Sequence, residues 1–448
     1  MSMTTGKWTV GIAVVCTFLS AAPVRAQDAP PLAVLGDSIS EGVQSGDASD
    51  RTQPSGYAKL LADKLGLPLA LPLIKSGPLG IVGFTSGRSR LDPALRASNL
   101  AVSGADVGSL LRERADAIVD TEADLVLSPR LQSQIEAAEA LHAPLVVCWI
   151  GNNDALGAIT NFDHLDASQL TPILQFAADF HEIVGRLKAA GSTPVLANIP
   201  DVVDVAFLMD RQDLIRFLGS DFGLPAGSFT TLAAVAMVKL GLANPAIFQD
   251  PNFVLDPNEI TIIRNRINVF NTIIRNTATA EGFAVVDAHA AFRLIATVQP
   301  VLFGVRITSR YLGGLFSLDG IHPSNFSHAL LASSFISTLN ARYGLSLPNF
   351  TLTELLTKFL TDPFVDKDGD GRVTGRFGAG LLETLLPFLG ISGDLNDFSA
   401  DAAAQSAGSG EAAVQMLEAT WGTHIPRADE PGGRSAAVAA VKRLFGIN

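Results

Sequence analysis

Cysteine is scarce in this chain: 448 residues contain two, Cys16 and Cys148. Cys16 falls in an N-terminal segment that reads as cleaved, which leaves one thiol and excludes an internal disulfide in the mature protein. Cys148 lies in the apolar run 144–150 and is expected to be a small buried hydrophobe. Basic clusters are lacking too. Lysine and arginine number 32 against 44 acidic residues, a net charge of −12. Loss of Lys7 and Arg25 with the N-terminal segment takes it to −12 − 2 = −14. That balance disfavours nucleic acids and anionic membrane surfaces as partners. No Gly-x-Ser-x-Gly occurs, which argues against the nucleophile elbow of α/β-hydrolases. His142, His164, His181, His328 and His424 lack the spacing of a metal site. Beyond residue 26, no segment reads as a transmembrane helix.

Apolar material is plentiful. Hydrophobic residues make up 48% and charged residues 17%, a composition that supports a large folded core and excludes a disordered chain. Residues 1–26 read as a signal peptide: Lys7 gives the positive start, 8–20 the apolar run, and Val24-Arg25-Ala26 a small-residue cleavage site. The run is too short to span a bilayer, and Pro23 and Arg25 end it. The mature product is therefore expected to be exported, to the periplasm or the medium.

From residue 31 onward, short apolar runs alternate with helical periodicity. Strands are expected at 31–35, 99–102, 144–150, 193–199 and 283–286, and helices at 56–65, 107–115, 131–141, 170–190, 259–280 and 327–343. Strands apolar on both faces and separated by helices imply a parallel sheet covered on both sides, a three-layer α/β/α sandwich. Chemistry in such sheets collects at the carboxyl ends of the strands. Residues 202–257, rich in Phe, Leu and Ala, break the rhythm as an inserted helical segment, a possible lid. Residues 349–448 form a C-terminal extension whose last part, after Pro431-Gly432-Gly433, ends in a short helix.

Four motifs adjoin strand ends. Gly36-Asp37-Ser38 follows the first strand, although Gly-Asp-Ser is also a common turn. The second, Asn99 to Gly104, closes on a glycine that can offer a bare N–H to a ligand or serve only the turn. Gly151-Asn152-Asn153-Asp154 follows the strongest strand, where Asp154 could simply cap a helix. Asp319-Gly320-Ile321-His322-Pro323 places an acid and an imidazole on one tight turn, where the carboxylate can fix the tautomer of the ring. A competing pair, Asp287 and His289, ends a strand without that geometry and reads as structural.

In order and placement these blocks resemble those of SGNH (GDSL) hydrolases, over residues 31–348. Residues 311–348 look especially like bacterial GDSL-type lipases or acylhydrolases. The resemblance implies a flavodoxin-like SGNH fold in a domain spanning 27–348. It also implies Ser38 as nucleophile, His322 as general base and Asp319 as its orienting partner. The oxyanion hole would comprise the N–H groups of Ser38 and Gly104 and the Asn153 side chain. No cofactor is implied for catalysis. Members often carry Thr and then Gly or Tyr after His-Pro; here Ser324-Asn325-Phe326 follows, a change expected to affect packing.

Asp366-Lys367-Asp368-Gly369-Asp370-Gly371-Arg372-Val373 follows a calcium-loop pattern. Asp366, Asp368 and Asp370 are candidate ligands, joined by the Arg372 backbone carbonyl. Phe377 stands where a bidentate Glu is expected, and Glu383 or Asp362 is the candidate substitute. A structural Ca2+ is thus expected against the alternative of a solvated acidic turn. The expected function is a secreted serine esterase or lipase acting on carboxylic, acyl-lipid esters. The rivals are an acyltransferase or carbohydrate O-deacetylase using the same site, and a calcium-dependent interaction protein with a vestigial triad.

Overall fold

The computed structural model describes residues 30–75, 88–371 and 373–375, and, within 414–445, residues 414–415, 418, 423–427, 430 and 432–445. The expected signal peptide, Phe377, Glu383 and Arg372 lie outside the described residues.

Four parallel strands form the sheet in the order β1 (Leu32–Gly36), β2 (Leu145–Trp149), β3 (Thr193–Ala197) and β4 (Ala284–Val286). Nearly every strand residue is buried, as the apolar runs required, and Cys148 is among them with its thiol pushed up to about 12 by burial. The expected second strand is present only as an extended segment. It lies along the free edge of β1, where Val34 N–H donates to Ser98 O and the N–H groups of Leu100 and Val102 donate to Val34 O and Gly36 O. The segment is bonded through alternate residues but is too short and irregular to count as a strand. With it included, the spatial order is 2-1-3-4-5. The direction of winding therefore reverses beside β1, and a ligand crevice is expected at the carboxyl end of that strand.

The helices expected on either face are α1 (Tyr57–Leu65), α2 (Gln134–Leu141), α3 (Ile173–Ala189), α4 (Pro257–Glu281) and α5 (Asn325–Tyr343). Tyr57, Trp149 and Phe335 join α1, β2 and α5 through ring centroids 5.5 and 4.9 Å apart. Each such buried ring contributes roughly 1.5–3 kcal/mol by leaving water. His328 belongs to this core. It is fully buried, and burial pushes its pKa down to about 3, so the neutral ring accepts the Tyr57 N–H at 3.1 Å. It thereby caps α1, whose N-cap, Gly56, has no side chain to do so.

The insertion contains helices Arg211–Leu218 and Leu232–Lys239 and a two-stranded ribbon, Leu208–Met209 with Thr230–Thr231. The C-terminal helix Gly433–Phe445 packs on Leu232–Lys239. Phe207 and Phe217 are fully buried, whereas Phe222 and Phe229 are half-buried. Phe207 and Phe217, in the segment read as a possible lid, are therefore core. Among the described residues, no helix is long and apolar enough to cross a membrane.

Candidate active site

Gly36 ends β1 at φ +153°, and a Cβ there would stand 2.4 Å from Trp149 O, so only glycine lets the chain turn away between β1 and β2. The next residue, Asp37, caps the four-residue helical turn Ser38–Glu41 by accepting the Ile39 N–H at 3.1 Å. Its other oxygen accepts the Asn152 amide at 2.7 Å. Burial pushes the Asp37 carboxyl up to about 6, against the lowering effect of Asn152 and of the nearby His322. Ser38 is thus held at the first turn of a capped helix, 7% exposed, next in the chain to the carboxyl on which His322 acts.

The Asp319–His322 turn meets this segment from the other side. Asp319 Oδ2 lies 2.7 Å from His322 Nδ1 and also accepts the Gly46 N–H at 2.8 Å. Its Oδ1 accepts the N–H groups of Ile321 and His322 at 2.9 and 2.8 Å. Although burial alone would raise its pKa, His322 and these donors hold the Asp319 carboxyl below the usual range. A carboxylate so placed fixes Nδ1 as the protonated ring nitrogen and leaves Nε2 as the acceptor. His322 Nε2 is buried and has no hydrogen-bond partner among the described residues.

Two residues that sequence reasoning missed lock the loops together. Ser45 N–H donates to Ser317 Oγ at 2.8 Å, and Leu318 N–H donates to Ser45 Oγ at 2.9 Å. Ser45 lies outside every motif, and Ser317, although part of the Phe316-Ser317-Leu318 run just before the Asp319 turn, carries no assigned role.

Gly104 sits at φ +84° with open space where a Cβ would stand. Neither its N–H nor that of Ser38 donates to any described residue. Asn153 opens the helix Asn153–Thr160 and spends one amide hydrogen on Ala105 O at 2.8 Å, which leaves the second available. Asp154 does cap a helix, but a neighbouring one: it accepts Val107 N–H at 3.1 Å at the start of Val107–Arg112. Burial pushes Asp154 up to about 7.

Five of the expected residues, Ser38, Gly104, Asn153, Asp319 and His322, therefore belong to loops joined by hydrogen bonds at the carboxyl ends of β1 and β2. Such an arrangement can deprotonate a hydroxyl and offer N–H donors to a developing oxyanion. The competing pair is structural. Asp287 accepts the Ala290 N–H and the Asn198 amide, and His289 Nδ1 faces Ile199 O, so the two side chains do not pair.

Asp366, Asp368 and Asp370 lie elsewhere, each offering an oxygen within 4.8 Å of the others. Gly369 and Gly371 N–H donate to Asp366 at 2.8 and 2.9 Å, which closes the loop. Asp362 is not a substitute ligand. It is fully buried, and its two oxygens accept Phe326 N–H and Phe364 N–H at 2.6 and 2.8 Å, capping α5.

A family model described as GDSL-like Lipase/Acylhydrolase matches residues 32–335. The chain is similar to the solved structure of Axe2, an acetylxylan esterase from Geobacillus stearothermophilus, at 15% identity over 73% of this chain and 100% of that one, with a TM-score of 0.36. It is similar to LAE5, an alpha/beta hydrolase enzyme from the metagenome of Lake Arreo, Spain, at 16% identity over 70% and 96%, with a TM-score of 0.35. TesA matches at 15% identity over 69% and 98%, with a TM-score of 0.32. These likenesses are too distant to carry an argument about substrate. No curated relative matches the chain.

Proposed function

The chain belongs to the GDSL-like lipase/acylhydrolase family and is a carboxylic ester hydrolase, and on that premise we propose that it works through an acyl-Ser38 intermediate. Ser38 Oγ passes its proton to His322 Nε2 as it attacks the ester carbonyl carbon. The oxyanion is held by the N–H groups of Ser38 and Gly104 and by the Asn153 amide. Collapse expels the alcohol, which takes the proton from His322. Water then attacks the acyl group with His322 again as base, and the acid is released. The observation that carries this reading is the state of His322, with Nδ1 fixed by Asp319 at 2.7 Å and Nε2 buried and unengaged among the described residues.

The substrate class proposed is acyl-lipid esters. Its support is the apolar insertion, whose half-buried Phe222 and Phe229 remain candidates for an acyl contact. Residues 1–26 support export. The Asp366, Asp368 and Asp370 loop supplies hard oxygen donors suited to Ca2+, and we assign it a structural role, since none of its residues belongs to the reacting set.

The test is labelling with a fluorophosphonate, followed by hydrolysis of p-nitrophenyl esters from acetyl to long chain. Wild type should label at Ser38, and Ser38→Ala or His322→Ala should lower turnover by at least ~10³-fold with the fold intact. Ester hydrolysis that survives in purified Ser38→Ala refutes the mechanism. Efficiency that falls with chain length refutes the acyl-lipid substrate and favours a deacetylase.

A further inference from the structure

Glu41 closes the turn that begins with Ser38, and it has no exposed surface. Its Oε2 accepts both the N–H of Ser103, at 2.8 Å, and the Ser103 hydroxyl. Ser103 is the residue before Gly104. One carboxylate therefore grips the residue that leads into the proposed oxyanion peptide and belongs to the same turn as the proposed nucleophile. A second bond runs parallel to it, from the Asn99 amide to Ser40 O at 2.9 Å.

The arrangement is costly for Glu41. Its Oε1 is buried with no hydrogen-bond partner among the described residues. Burial pushes its carboxyl up to about 8, repulsion from Glu122 adds to the rise, and Arg88, already paired with Glu122 at 2.7 Å, offsets it only in part. A turn designed only for stability would be better served by an apolar residue at a site with one unmatched carboxylate oxygen. Buried groups left partly unsatisfied call for a specific explanation. Here the bonds to Ser103 provide one: Gly104, at φ +84°, sits in a turn closed by the Ala105 N–H donating to Val102 O at 3.1 Å, and the grip on Ser103 ties that turn to the Ser38 segment.

We propose that Glu41 is a positioning residue, which aims the Gly104 N–H at the oxyanion by holding Ser103 to the Ser38 turn. This rests on the reading of Ser38 as nucleophile and Gly104 as oxyanion donor. Glu41 itself touches no reacting atom. It acts on the transition state, where the oxyanion forms, more than on the bound ester, so its loss belongs in kcat and not in KM.

The experiment compares Glu41→Ala, Glu41→Gln and Ser103→Ala with wild type and Ser38→Ala. The readouts are kcat and KM on a p-nitrophenyl ester and inhibition by an alkyl boronic acid, which forms a tetrahedral adduct with a serine. Glu41→Ala should lower kcat roughly 10–100-fold with KM within about threefold, and boronate affinity should fall in proportion to kcat/KM. Glu41→Gln keeps an acceptor for the Ser103 N–H and should restore most of kcat. Ser103→Ala, which removes only the hydroxyl bond, should lose about 3–10-fold, and combining it with Glu41→Ala should add little. Should Glu41→Ala fail to fold, Ser103→Ala and Glu41→Gln decide the matter. Unchanged kcat in folded Ser103→Ala and Glu41→Ala overturns the proposal, as does a loss confined to KM or boronate affinity that stays at the wild-type value. Wild-type labelling lost in Ser38→Ala shows that the underlying reading stands, so its failure is separable from that of Glu41.

Discussion

Replacing Asp319 by asparagine tests the acid–base pair without changing its shape. Five donors converge on this carboxylate: Gly46 N–H and His322 Nδ1 on Oδ2, and the N–H groups of Ile321 and His322 and, at 3.4 Å, the Ser317 hydroxyl on Oδ1. An amide can serve only one of the two sets. With its oxygen toward Ile321 and His322, its NH2 meets the Gly46 N–H donor to donor. His322 must then accept at Nδ1, which moves the ring proton to Nε2, the atom that has to receive the proton of Ser38. The tautomer is wrong for catalysis, and kcat should fall ~10⁴-fold, the size of effect an Asp→Asn change has in other serine triads. The stranded Gly46 donor costs about 1–3 kcal/mol of stability. The sign of the pH dependence follows from the lowered pKa of Asp319. Its stabilisation is present above its unfolded value of ~3.9 and disappears as pH falls through the folded one, so the difference between wild type and Asp319→Asn should close only in acid. Steady-state kinetics on a p-nitrophenyl ester and urea melts at pH 3 and pH 7 read both effects. A well-folded Asp319→Asn within about tenfold of wild-type kcat refutes the tautomer argument.

Other perturbations address other parts of the molecule. Gly104→Ala meets no steric clash but forces alanine to φ +84°, so it should cost about 1–3 kcal/mol in melting experiments and lower kcat as the loop shifts its N–H; unchanged activity would remove Gly104 from the oxyanion site. Asp37, raised to about 6, favours the fold below its unfolded value and loses that contribution as pH climbs through 6, so urea melts should show stability falling from pH 5 to pH 8. Asp37→Asn should remove only its own share of that slope, because Asp154, raised to about 7, and Glu41, raised to about 8, lose stabilisation over the same range, and an unaltered slope would show that Asp37 does not contribute. Calcium at a hundredfold above Kd should stabilise the protein by ~2.7 kcal/mol, with a smaller effect on kcat and none in Asp368→Ala. Absence of binding by calorimetry at millimolar calcium would make the loop a plain acidic turn.

The sheet was legible because β1 to β4 are short apolar runs bounded by glycine or polar residues, and burial on both faces leaves such a run no other place. The segment at 99–102 was over-read. It is as apolar as a strand, but an edge position bonded to only one neighbour does not require regular pairing. Ser38 and Asn153 could be singled out from the sequence because each follows a strand whose end is fixed by its neighbours in the chain, and Asp319 and His322 because they share one tight turn. Ser45, Ser317 and Glu41 could not. Each matters through a partner 62 to 273 positions away, and nothing in Ser or Glu as a residue type announces a partner. The same holds for Asp362, whose acidic neighbours suggested a ligand while its carboxylate caps α5.

These distant bonds explain how an irregular turn such as Asp319–His322 is held accurately. Neither of its flanks is a strand, so beyond the bonds within the turn its position rests on three outside attachments. The nucleophile loop grips it through Gly46 and Ser45. The insertion grips it at Gly320, whose carbonyl accepts the Phe207 N–H at 2.8 Å and whose φ of +74° places any Cβ 2.6 Å from that nitrogen. The extension grips the chain just beyond His322, through Asp362 and Phe326. The two segments added to the sheet therefore do more than cover it. Phe207 belongs to the insertion and Asp362 to the extension, and each fixes one side of the turn that carries His322. Loosening either should lower kcat before it lowers the stability of the sheet, because a shift of about 1 Å in a reacting group can cost ~10²-fold in rate while leaving the core packing intact.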